Sequence, residues 1–117
     1  MGSDFYRLAR SLSEVDRLIH EPARLLILTI LYAVESADFL YLQRQSNLTK
    51  GNLSAHLSRL EEAGYITIEK TYRGKIPLTL CHLTGNGRKA LESYHRQLRE
   101  FVNQTKSSVS SENGEHL

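Results

Sequence analysis

The sequence predicts a mainly α-helical domain that carries one small β-hairpin. Apolar residues recur at spacings of three and four positions over most of the chain, which is the spacing of one helix face. In contrast, Ile66, Ile68 and Lys70 alternate with Thr67, Glu69 and Thr71 before a turn that contains Gly74, as in the first strand of a hairpin. With 117 residues the chain can bury one core, so we expect a single domain over residues 1–102 and a flexible tail over residues 103–117.

The first two predicted helices are separated by a proline. Pro22 suits the first turn of a second helix, because the N–H that proline lacks needs no partner there. Residues 25–34 are almost all apolar, so this second helix should be buried on nearly every side. The first helix is predicted over residues 4–19 by one apolar stripe, formed by Phe5, Leu8, Leu12, Val15 and Ile19.

The second half of the chain contains a tight turn between helices and then the hairpin. A short helix over residues 39–45 precedes a turn at residues 46–47, and Thr49 is a good N-cap for a helix over residues 49–63. Strands on either side of Arg73-Gly74-Lys75 form a hairpin over residues 66–83. Because Pro77 lacks an N–H, this hairpin should lie at a sheet edge. A last helix follows over residues 84–102.

This order predicts a winged helix-turn-helix with flanking N- and C-terminal helices, its core at residues 20–90. Three stretches resemble MarR- and ArsR-type winged-helix regulators: His20–Leu28 resembles the entry to their first core helix, Leu48–Ile66 their recognition helix, and Leu83–Arg88 the junction after the wing. The chain departs from the usual helix-turn-helix pattern at Gln43, where Ala is common, and at Asn47, where Gly is common. Asn tolerates the left-handed conformation, so the turn should survive.

The resemblance implies a cytoplasmic transcriptional regulator that binds double-stranded DNA. The middle third of the chain, residues 39–75, carries six basic and three acidic side chains, which suits a polyanion. Small polar residues near the start of a helix fit the major groove, and cations beside a turn fit phosphates or the minor groove. The residues expected to face DNA are Thr49, Lys50, Gly51, Asn52, Ser54, Ala55, Ser58 and Arg59 on the helix, with Arg73 and Lys75 at the wing tip.

The terminal helices predict a homodimer that reads a partly palindromic operator, with half-sites ~34 Å apart. The alternative is that both helices complete the core of the monomer. The resemblance also allows a small-molecule effector, which no residue identifies. The predicted dimer interface consists of Phe5, Leu8, Leu12, Val15, Leu91, Tyr94, Leu98 and Phe101.

Other functions receive less support from the sequence. The cysteine pairs and acid/His clusters of metal-sensing ArsR proteins are absent, so we expect no metal or other cofactor, and no nucleophile–base pair indicates an enzyme. His56 either braces the helix-turn-helix unit through a hydrogen bond or contacts DNA. A winged-helix module that binds protein instead of DNA, and a redox sensor that uses Cys81, remain competing hypotheses.

Overall fold

The structure, a computed structural model, describes the backbone of residues 2–114 and the side chains of residues 5–107. Its element order confirms the predicted mainly helical fold with a hairpin wing. None of the described helices is both long enough and apolar enough to cross a membrane. The elements are α1 (Gly2–Ser13), α2 (Pro22–Val34), β1 (Ser36–Asp38), α3 (Phe39–Ser46), α4 (Lys50–Glu62), β2 (Ile66–Arg73), β3 (Ile76–Leu83) and α5 (Gly85–Gly114).

The chain divides into two compact units. One comprises the N-terminal segment up to Asp16 together with the segment from Glu92 onward, and the other comprises Arg17–Leu91. The single domain predicted for residues 1–102 stays a prediction.

The unit Arg17–Leu91 has a core built by three helices and the sheet. In α2, one face is buried while Leu26 remains 39% exposed, so the prediction that this helix is buried on nearly every side is wrong. The helix carries more apolar side chains than the neighbouring elements cover. The fully buried side chains of this core are Ile19, Ile27, Leu28, Leu31, Leu42, Leu53, Leu60, Ile66, Cys81 and Leu91.

The sheet is antiparallel and has the order β1-β3-β2. The sequence did not predict β1, whose three residues are too few to show a period. Because β1 pairs with β3, the strand that contains Pro77 is central, and the predicted placement of the hairpin at a sheet edge holds only for β2. Pro77 is tolerated because β1 pairs with β3 only at Leu80–His82, so Pro77 has a neighbouring strand on one side alone.

The N-terminal helix is shorter than predicted, because α1 ends at Ser13 and not at residue 19. The Ser13 hydroxyl donates a hydrogen bond to the Arg10 carbonyl (2.8 Å), which competes with the backbone bonds of the last turn. The N–H of Val15 pairs with the Leu12 carbonyl (3.2 Å) and tightens the chain further. The predicted stripe is therefore helical only up to Leu12.

The C-terminal helix is longer than predicted, because α5 continues through residues 103–114, where we expected a flexible tail. Residues 115–117 of that predicted tail lie outside the described residues. Polar side chains of this segment find partners along and beside the helix. Gln104 accepts a hydrogen bond from the Ser11 hydroxyl (2.9 Å) and donates one to Glu100 (3.2 Å). The absence of an apolar stripe did not prevent helix formation, since no proline interrupts the segment.

Candidate nucleic-acid interface

The turn between α3 and α4 is stabilised by the two residues that the sequence indicated. Asn47 adopts the left-handed conformation (φ 57°) and donates its N–H to the Gln43 carbonyl (2.9 Å), which ends α3. Thr49 then caps α4, since its hydroxyl accepts the N–H of Asn52 (3.1 Å). The predicted helix-turn-helix geometry is confirmed, including the substitution of Asn for Gly in the turn.

The α4 helix divides into a buried face and an exposed face. Leu53, Leu57 and Leu60 are buried against the core, and their spacing of four and three positions places them on one face of the helix. The opposite face is open to solvent, and the first turn of the helix holds no acidic residue. All eight predicted DNA-facing residues of this segment are exposed: Thr49, Lys50, Gly51, Asn52, Ser54, Ala55, Ser58 and Arg59.

The wing is the hairpin of β2 and β3, joined by a two-residue turn. Gly74 has a positive φ (65°), which the first position of such a hairpin turn favours. The predicted Arg73 and Lys75 are exposed on either side of it. Tyr72 (70% exposed) and Ile76 (68% exposed) also lie near the tip, so the wing presents apolar surface that sequence reasoning missed for Ile76.

A groove of about 790 Å³ is lined by α4, by both strands of the wing and by the segment where β1 passes into α3. Its lining includes Leu57 and Ile68 and two lysines, Lys50 from α4 and Lys70 from β2. The acidic Asp38 and Glu61 also line the groove, so its charge is balanced. The helix and the wing therefore flank one continuous concave surface within the unit Arg17–Leu91.

His56 braces the body of the protein, one of the two roles left open by the sequence. Its Nδ1 accepts a hydrogen bond from Arg24 Nη1 (3.1 Å), and Glu21 Oε2 lies 3.8 Å from the same nitrogen. Arg24 is 8% exposed, and its Nε donates to the Leu18 carbonyl (2.6 Å). Sequence reasoning missed Arg24. The available signal was a charged residue within an otherwise apolar helix.

Glu21 supports this cluster from the N-cap of α2, where its carboxylate accepts the N–H of Arg24 (2.8 Å). Burial raises the pKa of Glu21, but hydrogen bonds from the N–H groups of Arg24 and Ala23 and the nearby His56 and Arg24 side chains outweigh burial. The net effect holds the pKa of Glu21 below its usual range.

The C-terminal end of α4 is fastened to the start of α5. The Thr84 hydroxyl donates to the Gly64 carbonyl (2.6 Å) and accepts the N–H of Gly87 (2.9 Å). A side chain at Gly87 would collide with the carbonyl oxygen of Tyr65, so this glycine allows α5 to approach the chain after α4. The Gly-x-Gly pattern at residues 85–87 thus has a packing explanation.

Cys81 is fully buried on β3. Burial, together with the negative charges of Glu61 and Asp38, raises the pKa of its thiol to about 11. Because the thiolate is the reactive form, this environment opposes the redox-sensor hypothesis. Within the described part of the chain, no group of three or more His, Cys, Asp or Glu residues could hold a metal ion.

The predicted dimer interface is only partly accessible. Val15, Leu91 and Tyr94 are buried within the protomer, and their predicted contact with a partner stays a prediction. Their side chains already contribute to the protomer's own packing. The remaining candidates are exposed or half-buried: Phe5, Leu8, Leu12, Leu98 and Phe101.

Comparisons with known proteins agree with this geometry. The uncharacterized protein MJ0432 of Methanocaldococcus jannaschii is 37% identical over 79 residues, which cover 67% of this chain and 85% of that protein. The uncharacterized HTH-type transcriptional regulator YdgJ of Bacillus subtilis is 29% identical over 90 residues, covering 77% of this chain and 54% of YdgJ. The chain therefore spans about half the length of YdgJ.

A solved structure confirms the fold. The transcriptional regulator homologue from Pyrococcus horikoshii OT3 aligns with a TM-score of 0.72 and 23% identity, covering 86% of this chain and 95% of that one. The family model of the winged helix DNA-binding domain matches residues 23–102, which include the helix-turn-helix unit and the wing. The chain belongs to the family of winged helix DNA-binding domains.

Proposed function

We propose that this protein is a transcriptional regulator that binds double-stranded DNA in a sequence-specific manner. In this proposal α4 lies in the major groove, and the wing contacts the backbone or the minor groove. One observation carries it: from Thr49 to Arg59 the exposed face of α4 presents small, polar or basic side chains and no acid. The name of the relative YdgJ, a transcriptional regulator, supports the regulatory role.

Different positions on this exposed face suit different parts of DNA. Asn52 can pair with adenine through its amide, and Lys50 can reach the acceptors of guanine or a phosphate. The free N–H groups of the first turn, beside Thr49, suit a phosphate oxygen. Arg59 lies two turns further along α4, where a phosphate is the expected partner.

Selection of bound fragments from genomic DNA tests this proposal. Asn52→Ala should relax the preference at one base position, at a cost of ~1–3 kcal/mol there. Arg73→Ala should weaken all sequences alike and reduce the dependence of affinity on salt by about one ion. Lys89→Ala is the control, because Lys89 is also an exposed cation but lies on α5, outside the helix and the wing that are proposed to contact DNA. Failure of the unmodified protein to enrich any sequence would overturn sequence-specific binding.

A homodimer is the second part of the proposal. The exposed Phe5 and Leu12 of α1, with Leu98 and Phe101 of α5, supply apolar surface for a two-fold contact. Two recognition helices would then contact half-sites ~34 Å apart on a partly palindromic operator.

Sedimentation tests the dimer at tens of micromolar protein. Leu12→Glu should produce monomers and weaken operator binding. Leu26→Glu is the matched control, because Leu26 is 39% exposed against 41% for Leu12. A monomeric unmodified protein would refute the dimer.

A protein-interaction module is the alternative, and the exposed Tyr72 and Ile76 of the wing favour it. The two functions differ in their response to mixed-sequence duplex at low salt. A DNA-binding domain binds such duplex and releases it as salt rises, because phosphate contacts release counterions. No binding at low salt would favour the protein partner.

A further inference from the structure

We propose that Arg24 is a positioning residue for DNA recognition: through its hydrogen bond to His56 it fixes the rotation of α4 about the axis of that helix. This inference rests on the proposed function and concerns a residue that does not itself face DNA. Arg24 is the one buried charged side chain among the residues whose burial the structure describes.

The contacts of Arg24 are directional, and the buried side chains that α2 and α4 otherwise contribute to the core are aliphatic. Its guanidinium donates to the Leu18 carbonyl before α2 and to His56 on α4. A planar guanidinium holds its partners in a fixed geometry. The buried leucine stripe of α4 decides which face of the helix meets the core. The directional Arg24–His56 bond adds a fixed polar contact that narrows the rotation further.

The chemistry of the bond defines the role of His56. Arg has no acceptor, so His56 Nδ1 is the acceptor of this hydrogen bond. An asparagine at position 56 carries an oxygen near the place of Nδ1 and can accept the same bond. A leucine is similar in size and cannot.

Small rotations of α4 would matter at the DNA. On a helix whose side chains reach ~5–6 Å from the axis, a rotation of about 20° moves a side-chain tip by ~2 Å. That displacement breaks a hydrogen bond to a base edge, which requires about 2.7–3.2 Å between heavy atoms. Phosphate contacts through long, flexible cations tolerate such a shift. Loss of the Arg24–His56 bond should therefore reduce discrimination between sequences more than it reduces affinity for DNA in general.

The experiment measures dissociation constants for the selected operator and for mixed-sequence duplex, at fixed salt, with proteins shown by denaturation to be fully folded. Arg24→Met and His56→Leu should each lower the ratio of specific to nonspecific affinity about tenfold or more, the scale of one lost base contact. His56→Asn should keep the ratio within about threefold of the unmodified protein. The double variant Arg24→Met/His56→Leu should lose no more than the larger single loss, because both changes remove the same bond.

The outcomes separate this proposal from its alternatives. If Arg24→Met does not fold, the comparison of His56→Asn with His56→Leu decides alone. A purely structural role would leave the ratio of specific to nonspecific affinity unchanged in the folded variants, which would overturn the proposal. If the ratio of specific to nonspecific affinity falls in His56→Asn but not in Arg24→Met, His56 contacts DNA directly. That result would also overturn the proposal. No specific binding by the unmodified protein would instead refute the proposed function itself.

Discussion

Gly51 offers a test in which stability and DNA binding should move in opposite directions. It lies in the first turn of α4 and is exposed. Its φ lies outside the left-handed region, and a Cβ added there would meet no atom within 4 Å. The fold therefore has no steric requirement for glycine at this position, although glycine weakens a helix.

The expected stabilisation follows from backbone entropy. Alanine is more favourable than glycine in a helix by ~0.5–1 kcal/mol, because glycine loses more conformational freedom on folding. Gly51→Ala should raise the free energy of unfolding by up to that amount and the Tm by ~2–5 °C. In the DNA complex the same methyl group would lie between the backbone of α4 and the base edges. Affinity for the operator should fall about tenfold, equivalent to about 1.4 kcal/mol.

Gly85→Ala is a matched control for this test. Gly85 begins α5, is exposed, and also has no atom within 4 Å of an added Cβ. Denaturant unfolding should show similar stabilisation for both variants, and fluorescence anisotropy with labelled operator should show weaker binding for Gly51→Ala alone. Unchanged operator affinity in Gly51→Ala would refute the close approach of this turn to DNA.

Three further predictions concern the supports of the fold. Gly87→Ala should destabilise the protein by ~1–3 kcal/mol in denaturant unfolding, because its methyl group would collide with the Tyr65 carbonyl; stability equal to that of Gly85→Ala would contradict this. With the pKa of Cys81 raised to about 11, stability should fall by about 1.4 kcal/mol per pH unit between ~8.5 and 11, since the unfolded thiol ionises first. Cys81→Ala should lack this slope. Because the pKa of Glu21 is lowered, its stabilisation is present above ~4.3 and lost as pH falls through the folded-state value, so Glu21→Gln should flatten the acid limb of stability against pH.

The sequence predicted the parts of the fold that depend on local pattern. The recognition helix α4 has a capping residue at Thr49, leucines on one face, and Gly64 with a positive φ just after its end, and each signal acts within a few residues of its effect. The wing turn at Gly74 and the left-handed Asn47 are equally local. For this reason the exposed candidate residues of α4 and the wing tip could be chosen before the structure.

The parts that sequence reasoning missed depend on contacts between distant residues. β1 forms because Ala37 pairs with Cys81 on β3, a partner 44 positions away that no local period indicates. The extension of α5 coincides with a hydrogen bond between Ser11 and Gln104, again between distant segments. No local pattern indicates that Arg24 is buried, because its partners, the Leu18 carbonyl and His56, lie outside its own helix.

The residues that hold α4 in place differ from the residues that are proposed to contact DNA. Arg24 holds the middle of the helix through His56, and Thr84 fastens the chain at its C-terminal end. Both contacts use polar groups with defined directions, and neither uses the face that includes Gly51 and Asn52. We therefore expect substitutions on that face to change sequence preference at little cost in stability, and substitutions at Arg24 or Thr84 to alter the orientation of the whole face. A regulator built in this way can acquire a new operator through surface changes while its fold stays intact.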